Sequence, residues 1–217
     1  EHNKKGSGEV ILKRILSGEI CALVSDAGMP AISDPGEELV KRAREYGIEI
    51  ESVPGPSALI TALSISGMPS KRFCFEGFLP VNKAERKAIL KELETEKRTM
   101  IFYEAPHKLL STIKDMFAAF GNREVSIVKE LTKIHETVLN ATLKDICEYY
   151  NENQPKGEFV IIVRGAAEEI KEYTLEDAIK IAQNLIDEGK ALSAAAKEAA
   201  AMTGIKKGDI YKAVIKE

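Results

Sequence analysis

The sequence contains no tryptophan, three cysteines, three histidines and no apolar run long enough to cross a membrane. Cys21, Cys74 and Cys147 lie tens of residues apart, which excludes a CxxC metal or redox motif and favours a reducing compartment. The longest apolar runs, such as residues 159–163, have the length of a strand, and no charged-then-apolar leader opens the chain. We therefore expect a cytoplasmic protein with neither a membrane partner nor a metal site.

The sequence also lacks an excess of either charge. It has 31 lysines and arginines against 34 aspartates and glutamates, a formal net charge of -3 over 217 residues. No global positive field therefore attracts nucleic acid or an anionic membrane, and any polyanion must bind to a local patch. A hydrophobic fraction of 44% is that of an ordinary folded domain.

Three common catalytic motifs are missing as well. The sequence contains no HExxH, no GxSxG and no GxGxxG. These absences leave metallohydrolase, serine hydrolase and standard dinucleotide-binding functions without support.

Apolar segments alternate between strand and helix length along the chain. Residues 20–24 and 48–53 are expected strands, each followed by a helix, which is typical of a parallel sheet. Asp34 is expected to cap the first of these helices, and Thr142 and Thr174 are expected to begin later helices with capping boxes. From about residue 72 the pattern favours antiparallel pairing, with residues 125–130 and 134–139 as neighbouring strands.

These patterns predict an α/β protein of two α/β domains followed by a helical tail. The expected boundaries are 1–70 for a domain with a parallel sheet, 71–166 for a domain with a mixed sheet, and 167–217 for the tail. In the tail, two short helices about Gly204 have helix-turn-helix spacing, and Ser193 is expected to cap the first. From residue 189 onward lysines outnumber acidic residues, so the tail is interpreted either as a nucleic-acid contact or as a solvated cap.

Two loops rich in glycine and proline follow the first two expected strands. They comprise residues 25–33 and residues 54–58. Because the carboxyl ends of parallel strands share one edge of a sheet, we expect these loops to form one crevice for a ligand. Glu76, Glu104 and His107 lie near strand ends and are candidates for proton transfer by location alone, although a structural role for His107 is an open alternative.

Four ordered motifs carry a resemblance to a known family. They are residues 24–36 (VSDAGMPAISDPG), 53–58 (VPGPSA), 75–80 (FEGFLP) and 102–107 (FYEAPH). In this order and spacing they resemble the bacterial 16S rRNA 2'-O-ribose cytidine methyltransferases of the tetrapyrrole methylase family. The resemblance implies a dimeric two-domain enzyme that binds S-adenosylmethionine between its domains and acts on 16S rRNA in the small ribosomal subunit.

The resemblance also implies the cofactor contacts and marks some departures. The implied cofactor-binding residues are Asp26, Ala27, Gly28, Met29, Ile32, Ser57, Ala58, Tyr103, Glu104 and Ala141. Met29 stands where the family usually has threonine, and Ala141 where it usually has glycine. The family's first strand and the loop after it have no counterpart here, which implies that the start of the first domain is lacking.

For such an enzyme the expected reaction is in-line transfer of a methyl group to a ribose 2'-oxygen, with Glu76, Glu104 and His107 as candidate catalytic bases. The lysine-rich tail, together with Lys83, Arg86 and Lys87, would contact RNA phosphates. Two alternatives stay open at this stage. One is a small-molecule methylase acting on a tetrapyrrole, and the other is a non-enzymatic RNA-binding module.

Overall fold

A computed structural model describes residues 4–167 and 173–216, with side chains described from residue 8 to residue 215 outside that gap. The chain divides into two compact units, residues 1–167 and residues 168–217. The further boundary expected near residue 70 stays a prediction.

The first unit is built around a mixed five-stranded sheet. Its strands are β1 (Phe73–Phe78), β2 (Thr99–Glu104), β3 (Glu124–Lys129), β4 (Thr137–Thr142) and β5 (Phe159–Val163). Their order across the sheet is β1-β2-β5-β3-β4, with β1 and β2 parallel and the other neighbours antiparallel. The α/β class and the antiparallel β3–β4 pair confirm the sequence-based predictions.

The antiparallel tendency expected from about residue 72 onward does not hold for β1 and β2. A helix that the sequence analysis did not predict, at residues Lys83–Glu92, lies between these two strands in the chain. A crossover helix returns the chain in the same direction, so the two strands pair in parallel. Asn82 begins this helix, because its side chain accepts hydrogen bonds from the backbone N–H groups of Ala84 and Glu85.

The helices of the two units have the following bounds. The first unit contains α1 (Lys4–Leu16), α2 (Glu37–Glu45), α3 (Ala58–Ile65), α4 (Lys83–Glu92), α5 (Leu109–Phe120) and α6 (Leu143–Glu152), with a 3₁₀ turn at Leu93–Thr95. The second unit contains α7 (Leu175–Asp187), α8 (Leu192–Thr203) and α9 (Lys207–Lys216).

Both faces of the sheet are covered, and alternate residues of each strand divide between the two cores. Phe102 and Ile161 point to the face covered by α4, α5 and α6. Ile101 and Ile162 point to the opposite face, where they pack against Leu59 and Leu63 of α3. Helix α3 is therefore attached to the centre of the sheet by buried apolar contacts.

The two strands expected before α3 do not form in the described structure. Residues 20–24 and 48–53 take no strand conformation, and Ile20 and Val53 are 100% and 83% exposed. A two-stranded ribbon with no third strand and no covering layer is marginal in water, which explains why apolar composition alone does not produce a sheet here. The expected Asp34 cap is also wrong, since Gly36 occupies the N-cap position of α2 without a side-chain hydrogen bond.

The start of α6 and the second unit follow local sequence signals closely. Thr142 and Thr174 both form capping boxes, with Asp145 and Asp177 as their partners, as the spacing predicts. Helices α7, α8 and α9 pack around a small core of alanines and Ile210. Ala191 rather than Ser193 is the N-cap of α8, and Gly204 ends that helix in the left-handed conformation at φ 73°.

Within residues 4–167 and 173–216, no helix combines the length and the apolar character needed to cross a membrane.

Candidate functional site

The two loops rich in glycine and proline lie against each other. The Met29 N–H donates a 3.0 Å hydrogen bond to the Pro56 carbonyl oxygen. A Cβ atom added at Gly28 would lie 3.1 Å from that same oxygen, and one added at Gly55 would lie 3.2 Å from the Met29 sulfur. Glycine at both positions lets the two backbones approach, so the structure brings together the loops that the sequence assigns to one crevice.

The first loop carries backbone strain. Gly28 has φ 75°, and Ala31 and Ser33 have φ 67° and 60°, a region that residues with a Cβ atom rarely adopt. Each such non-glycine residue costs on the order of 1–3 kcal/mol and persists only where its surroundings impose it. Within the loop, the Ser25 hydroxyl donates to the Gly28 carbonyl oxygen at 2.9 Å. Strain of this kind is typical of loops that clamp a ligand.

Tyr103 connects the second loop to the sheet. Its phenolic oxygen accepts a 3.0 Å hydrogen bond from the backbone N–H of Leu59, in the first turn of α3. The ring makes edge contacts with Phe75 and Phe78, at centroid distances of 4.9 and 5.5 Å. Phe78 remains 56% exposed, so an accessible aromatic surface borders the amino end of α3.

A bulge in β1 produces this aromatic cluster. Phe75 pairs with Ile101 and Gly77 pairs with Phe102, which leaves Glu76 as the extra residue. Gly77 has φ 64°, and a Cβ atom there would lie 3.5 Å from the Ser33 hydroxyl. The carboxyl end of β1 thus touches the strained loop.

The electrostatics of the cluster are negative. Burial and the nearby Asp34 carboxylate raise the pKa of Tyr103, so the phenol stays protonated at neutral pH. Asp26 and Asp34 are both exposed. The Asp34 carboxylate near the Tyr103 ring, with Asp26 exposed in the adjacent loop, suits a ligand that carries a positive charge and a flat ring system.

Glu104 lies on the other face of the sheet. It is 4% exposed, and its carboxylate accepts hydrogen bonds from the Ala105 N–H at 2.9 Å and the Thr112 hydroxyl at 2.5 Å. These bonds fix the start of α5 onto the end of β2. The side chain therefore has a structural role in the described structure, and only its main chain lies beside Tyr103.

Replacing Glu104 separates that structural role from catalysis. We expect Glu104→Ala to lower the free energy of unfolding by about 1–3 kcal/mol, because the buried Thr112 hydroxyl and Ala105 N–H lose their acceptor. Glu104→Gln retains an acceptor and should keep most of the stability and the full rate of the methyl transfer that the family resemblance implies. Urea unfolding and single-turnover rates measure the two effects. A rate loss of about 10²–10⁴ in a folded Glu104→Gln protein would instead identify a catalytic base.

The other two candidate bases have different surroundings. Burial raises the pKa of Cys74 to about 12, and the nearby Glu76 carboxylate adds to this effect. Glu76 therefore lies near Cys74, whose thiol donates to the Thr99 carbonyl oxygen at 3.7 Å and packs on the face opposite Phe75. His107 is exposed in the turn between β2 and α5.

Ala141 is not brought to this cluster. It lies on β4, which is separated from β2 by β5 and β3, so the two strands are about 14 Å apart. Its side chain packs against the core on the α5 and α6 face, whereas Tyr103 belongs to the α3 face. Ala27 and Ile32 are part of the strained loop, and Ser57 and Ala58 begin α3.

Sequence reasoning missed two features of the cluster. It did not assign a role to the Tyr103 hydroxyl, whose partner is 44 residues away, and it treated Asp34 only as a helix cap. The FEGF segment around the bulge was the available signal, since glycine inside a strand pattern often marks a bulge. Among the described residues, no group of three or more side chains is arranged to hold a metal ion.

Comparisons with known proteins were consistent with each other. The chain matches the family described as Tetrapyrrole (Corrin/Porphyrin) Methylases over residues 1–147. It is 49% identical over 218 residues to the Ribosomal RNA small subunit methyltransferase I of Xylella fastidiosa strain Temecula1, covering 97% of this chain and 77% of that protein.

Two solved structures share the fold at low sequence identity. The methyltransferase CobJ superposes with a TM-score of 0.57 at 18% identity, covering 74% of this chain and 70% of that one. Uroporphyrin-III C-methyl transferase from Thermus thermophilus, complexed with S-adenosyl homocysteine, gives 0.51 at 18% identity, covering 74% and 73%.

Proposed function

The chain belongs to the tetrapyrrole methylase family, and from that premise we propose that it is an S-adenosylmethionine-dependent methyltransferase that acts on ribosomal RNA. The hydrogen bond between Met29 and Pro56 carries the site assignment, because it joins the two loops that the family resemblance implies for the cofactor. The 49% identical relative named for ribosomal RNA favours an RNA substrate over a tetrapyrrole.

The residues of the cluster fit this cofactor. Asp26 and the backbone of Gly28 and Met29 would hold its polar groups, while Ser57 and Ala58 would contact it from the second loop. The negative charges of Asp26 and Asp34 favour a sulfonium cation, and Phe78 offers an exposed aromatic face. When bound, S-adenosylmethionine supplies a methyl group already activated by the positive sulfur.

The acceptor in this proposal is the ribose 2'-oxygen of a cytidine in 16S rRNA. Because the methyl donor is already activated, the protein contributes mainly by orientation, an effect that can supply ~7 kcal/mol or more. The hydroxyl proton must leave as the new bond forms. His107 follows the carboxyl end of β2 and is exposed, which makes it the candidate base that solvent and substrate can reach.

Lysines outside the cluster are proposed to neutralise RNA phosphates. Lys197, Lys206 and Lys212 are exposed on the second unit, and Lys83 and Lys87 are exposed on α4. Arg86 is removed from this set. Its Nη2 lies 2.7 Å from Asp115 Oδ2, and it is buried at 8% exposure.

We also propose, from the family resemblance, that the substrate is the assembled small ribosomal subunit. Parallel assays with naked 16S rRNA and with small subunits test this.

The same resemblance leads us to propose that the active form is a homodimer. Size-exclusion chromatography with light scattering tests the oligomeric state.

Calorimetric titration of S-adenosylmethionine and of S-adenosylhomocysteine into the protein tests the cofactor assignment. We expect saturable binding of both ligands. Binding of neither ligand, with RNA affinity intact, would favour the RNA-binding alternative without enzymatic activity.

A further inference from the structure

A cleft of about 780 Å³ opens at the edge of the sheet where β1 and β2 begin. Three chain segments form its walls, namely residues 69–72 before β1, residues 95–99 around the start of β2, and residues 164–167 after β5. The aromatic residues Phe75, Phe78 and Tyr103, here called the Tyr103 cluster, lie toward the opposite ends of β1 and β2. Since these strands have six residues, the two places are about 17 Å apart.

Hydrogen bonds between the three segments hold the walls in place. The Thr99 hydroxyl donates to the Pro69 carbonyl oxygen at 2.6 Å, and the Ala166 N–H donates to the Glu96 carbonyl oxygen at 2.6 Å. A Cβ atom at Gly165 would collide with the Lys97 carbonyl oxygen, so glycine permits the third segment to pass this closely. These contacts fix the positions of the three segments.

Basic residues outnumber acidic ones in the lining of the cleft, although the whole chain carries a net charge of -3. The basic lining residues are Lys71, Arg72, Lys97, Arg98 and Arg164. The acidic ones are Glu92 and Glu96. Local positive charge on an acidic protein is the kind of patch that a polyanion requires.

Two of the arginines are already paired. Arg98 Nη2 lies 2.7 Å from Glu96 Oε2, and hydrogen bonds from Arg98 hold the pKa of Glu96 down at about 2. Arg164 Nε lies 2.6 Å from Glu124 Oε2. These pairs orient the guanidinium groups and cancel part of their charge.

Lys71 and Arg72 differ from those arginines. Both are exposed, and neither forms a salt bridge with any residue in the two described stretches. Their charges are therefore available to an anionic ligand. Lysine and arginine side chains are the common partners of nucleic-acid phosphates, to which they give position and affinity rather than base specificity.

We propose that this cleft binds the phosphodiester backbone of the RNA substrate, with Lys71 and Arg72 as its main phosphate contacts. This inference rests on the proposed function, because it assumes that the substrate is RNA. It adds a second anchor on the first unit, about 17 Å from the Tyr103 cluster along β1. An RNA strand held in the cleft would present a neighbouring nucleotide toward the cluster without any base being read there.

The test compares RNA affinity in the full chain and in two charge-matched double variants. Lys71→Ala/Arg72→Ala removes the two cleft cations, and Lys41→Ala/Arg44→Ala removes one lysine and one arginine exposed on α2. The probe is 16S rRNA transcribed in vitro, titrated at several salt concentrations, with calorimetry of S-adenosylmethionine on each protein. Inorganic phosphate and cytidine monophosphate serve as competitors at constant ionic strength.

Loss of two phosphate contacts should lower RNA affinity about 20-fold at roughly 0.1 M salt and make the log–log salt slope shallower by about 1.4. The α2 variant should bind RNA like the unaltered protein, and both variants should keep their affinity for S-adenosylmethionine. Equal RNA affinity and equal slopes in the two variants would overturn the cleft assignment. A second result would also overturn it. Phosphate or cytidine monophosphate would compete with RNA for the unaltered protein but not for the cleft variant, while the RNA affinity of that variant stayed unchanged.

The two levels of the proposal fail separately. If the unaltered protein binds RNA through Lys71 and Arg72 but transfers no methyl group, the cleft assignment stands and the enzymatic function fails. If the Lys71→Ala/Arg72→Ala protein transfers the methyl group normally and its RNA affinity equals that of the unaltered protein, the function stands and the cleft assignment fails.

Discussion

Gly28→Ala is expected to lower the affinity for S-adenosylmethionine by roughly tenfold or more, equivalent to about 1.4 kcal/mol. The added Cβ atom would lie 3.1 Å from the Pro56 carbonyl oxygen, the acceptor of the Met29 N–H. The two loops must then move apart, and the contact that assembles the cofactor site is weakened. Calorimetry on the purified variant gives the affinity directly.

Gly47→Ala is the matched control for that experiment. Gly47 has φ 70°, close to the 75° of Gly28, but a Cβ atom there meets nothing within 4 Å. Both variants carry the same backbone strain of about 1–2 kcal/mol, and Gly28→Ala adds the cost of its close contact with Pro56. Only Gly28→Ala should lose cofactor affinity. Equal cofactor affinity in the two variants would contradict the placement of the site at these loops.

Arg86→Ala should lower the free energy of unfolding by about 3 kcal/mol or more. Arg86 Nε and Nη2 donate to Asp115 Oδ2 at 2.8 and 2.7 Å, and its Nη1 lies 3.2 Å from the carbonyl oxygens of Pro80 and Val81. Truncation leaves a largely buried carboxylate without its partner and two carbonyl groups without a donor. Urea denaturation measures the loss.

Lys87→Ala, one residue further along α4, is the control for Arg86. Lys87 is exposed, so its removal should change stability by no more than about 0.5 kcal/mol. A second variant, Arg86→Met/Asp115→Leu, replaces the pair by apolar groups and should recover most of the loss. If Arg86→Ala unfolded like Lys87→Ala and instead lost RNA affinity, Arg86 would be an RNA contact after all.

Local sequence signals predicted those parts of the fold that depend on neighbours in the chain. The capping boxes at Thr142 and Thr174 need only a partner three residues away, and both form as predicted. The β3–β4 pair likewise follows from two apolar segments joined by a short connection. The interactions that cause these features join residues that are close together in the sequence.

Features that depend on distant parts of the chain were missed or mistaken. Residues 20–24 have the composition of a strand, but a strand exists only where another strand pairs with it, and none does in the described structure. The burial of Arg86 depends on α5, which supplies Asp115 from 29 residues away. Composition shows that an arginine is basic but not whether a buried carboxylate already holds it.

The candidate site shows the same division. The two loops were found from glycine and proline alone, and their contact through Met29 and Pro56 is present in the structure. Two contacts could not be predicted in this way, namely the hydrogen bond of Tyr103 with Leu59 and that of Glu104 with Thr112. Both depend on which face of β2 each side chain occupies. The roles of these residues toward the cofactor stay proposals that binding measurements decide.

The most direct test of the central claim is transfer of an isotopically labelled methyl group from S-adenosylmethionine to small ribosomal subunits that lack the modification. After reaction, the RNA is digested to nucleosides and analysed by mass spectrometry. Our account predicts the label in 2'-O-methylcytidine from 16S rRNA. No label in RNA, with label in a tetrapyrrole offered in parallel, would contradict it and establish the small-molecule methylase instead.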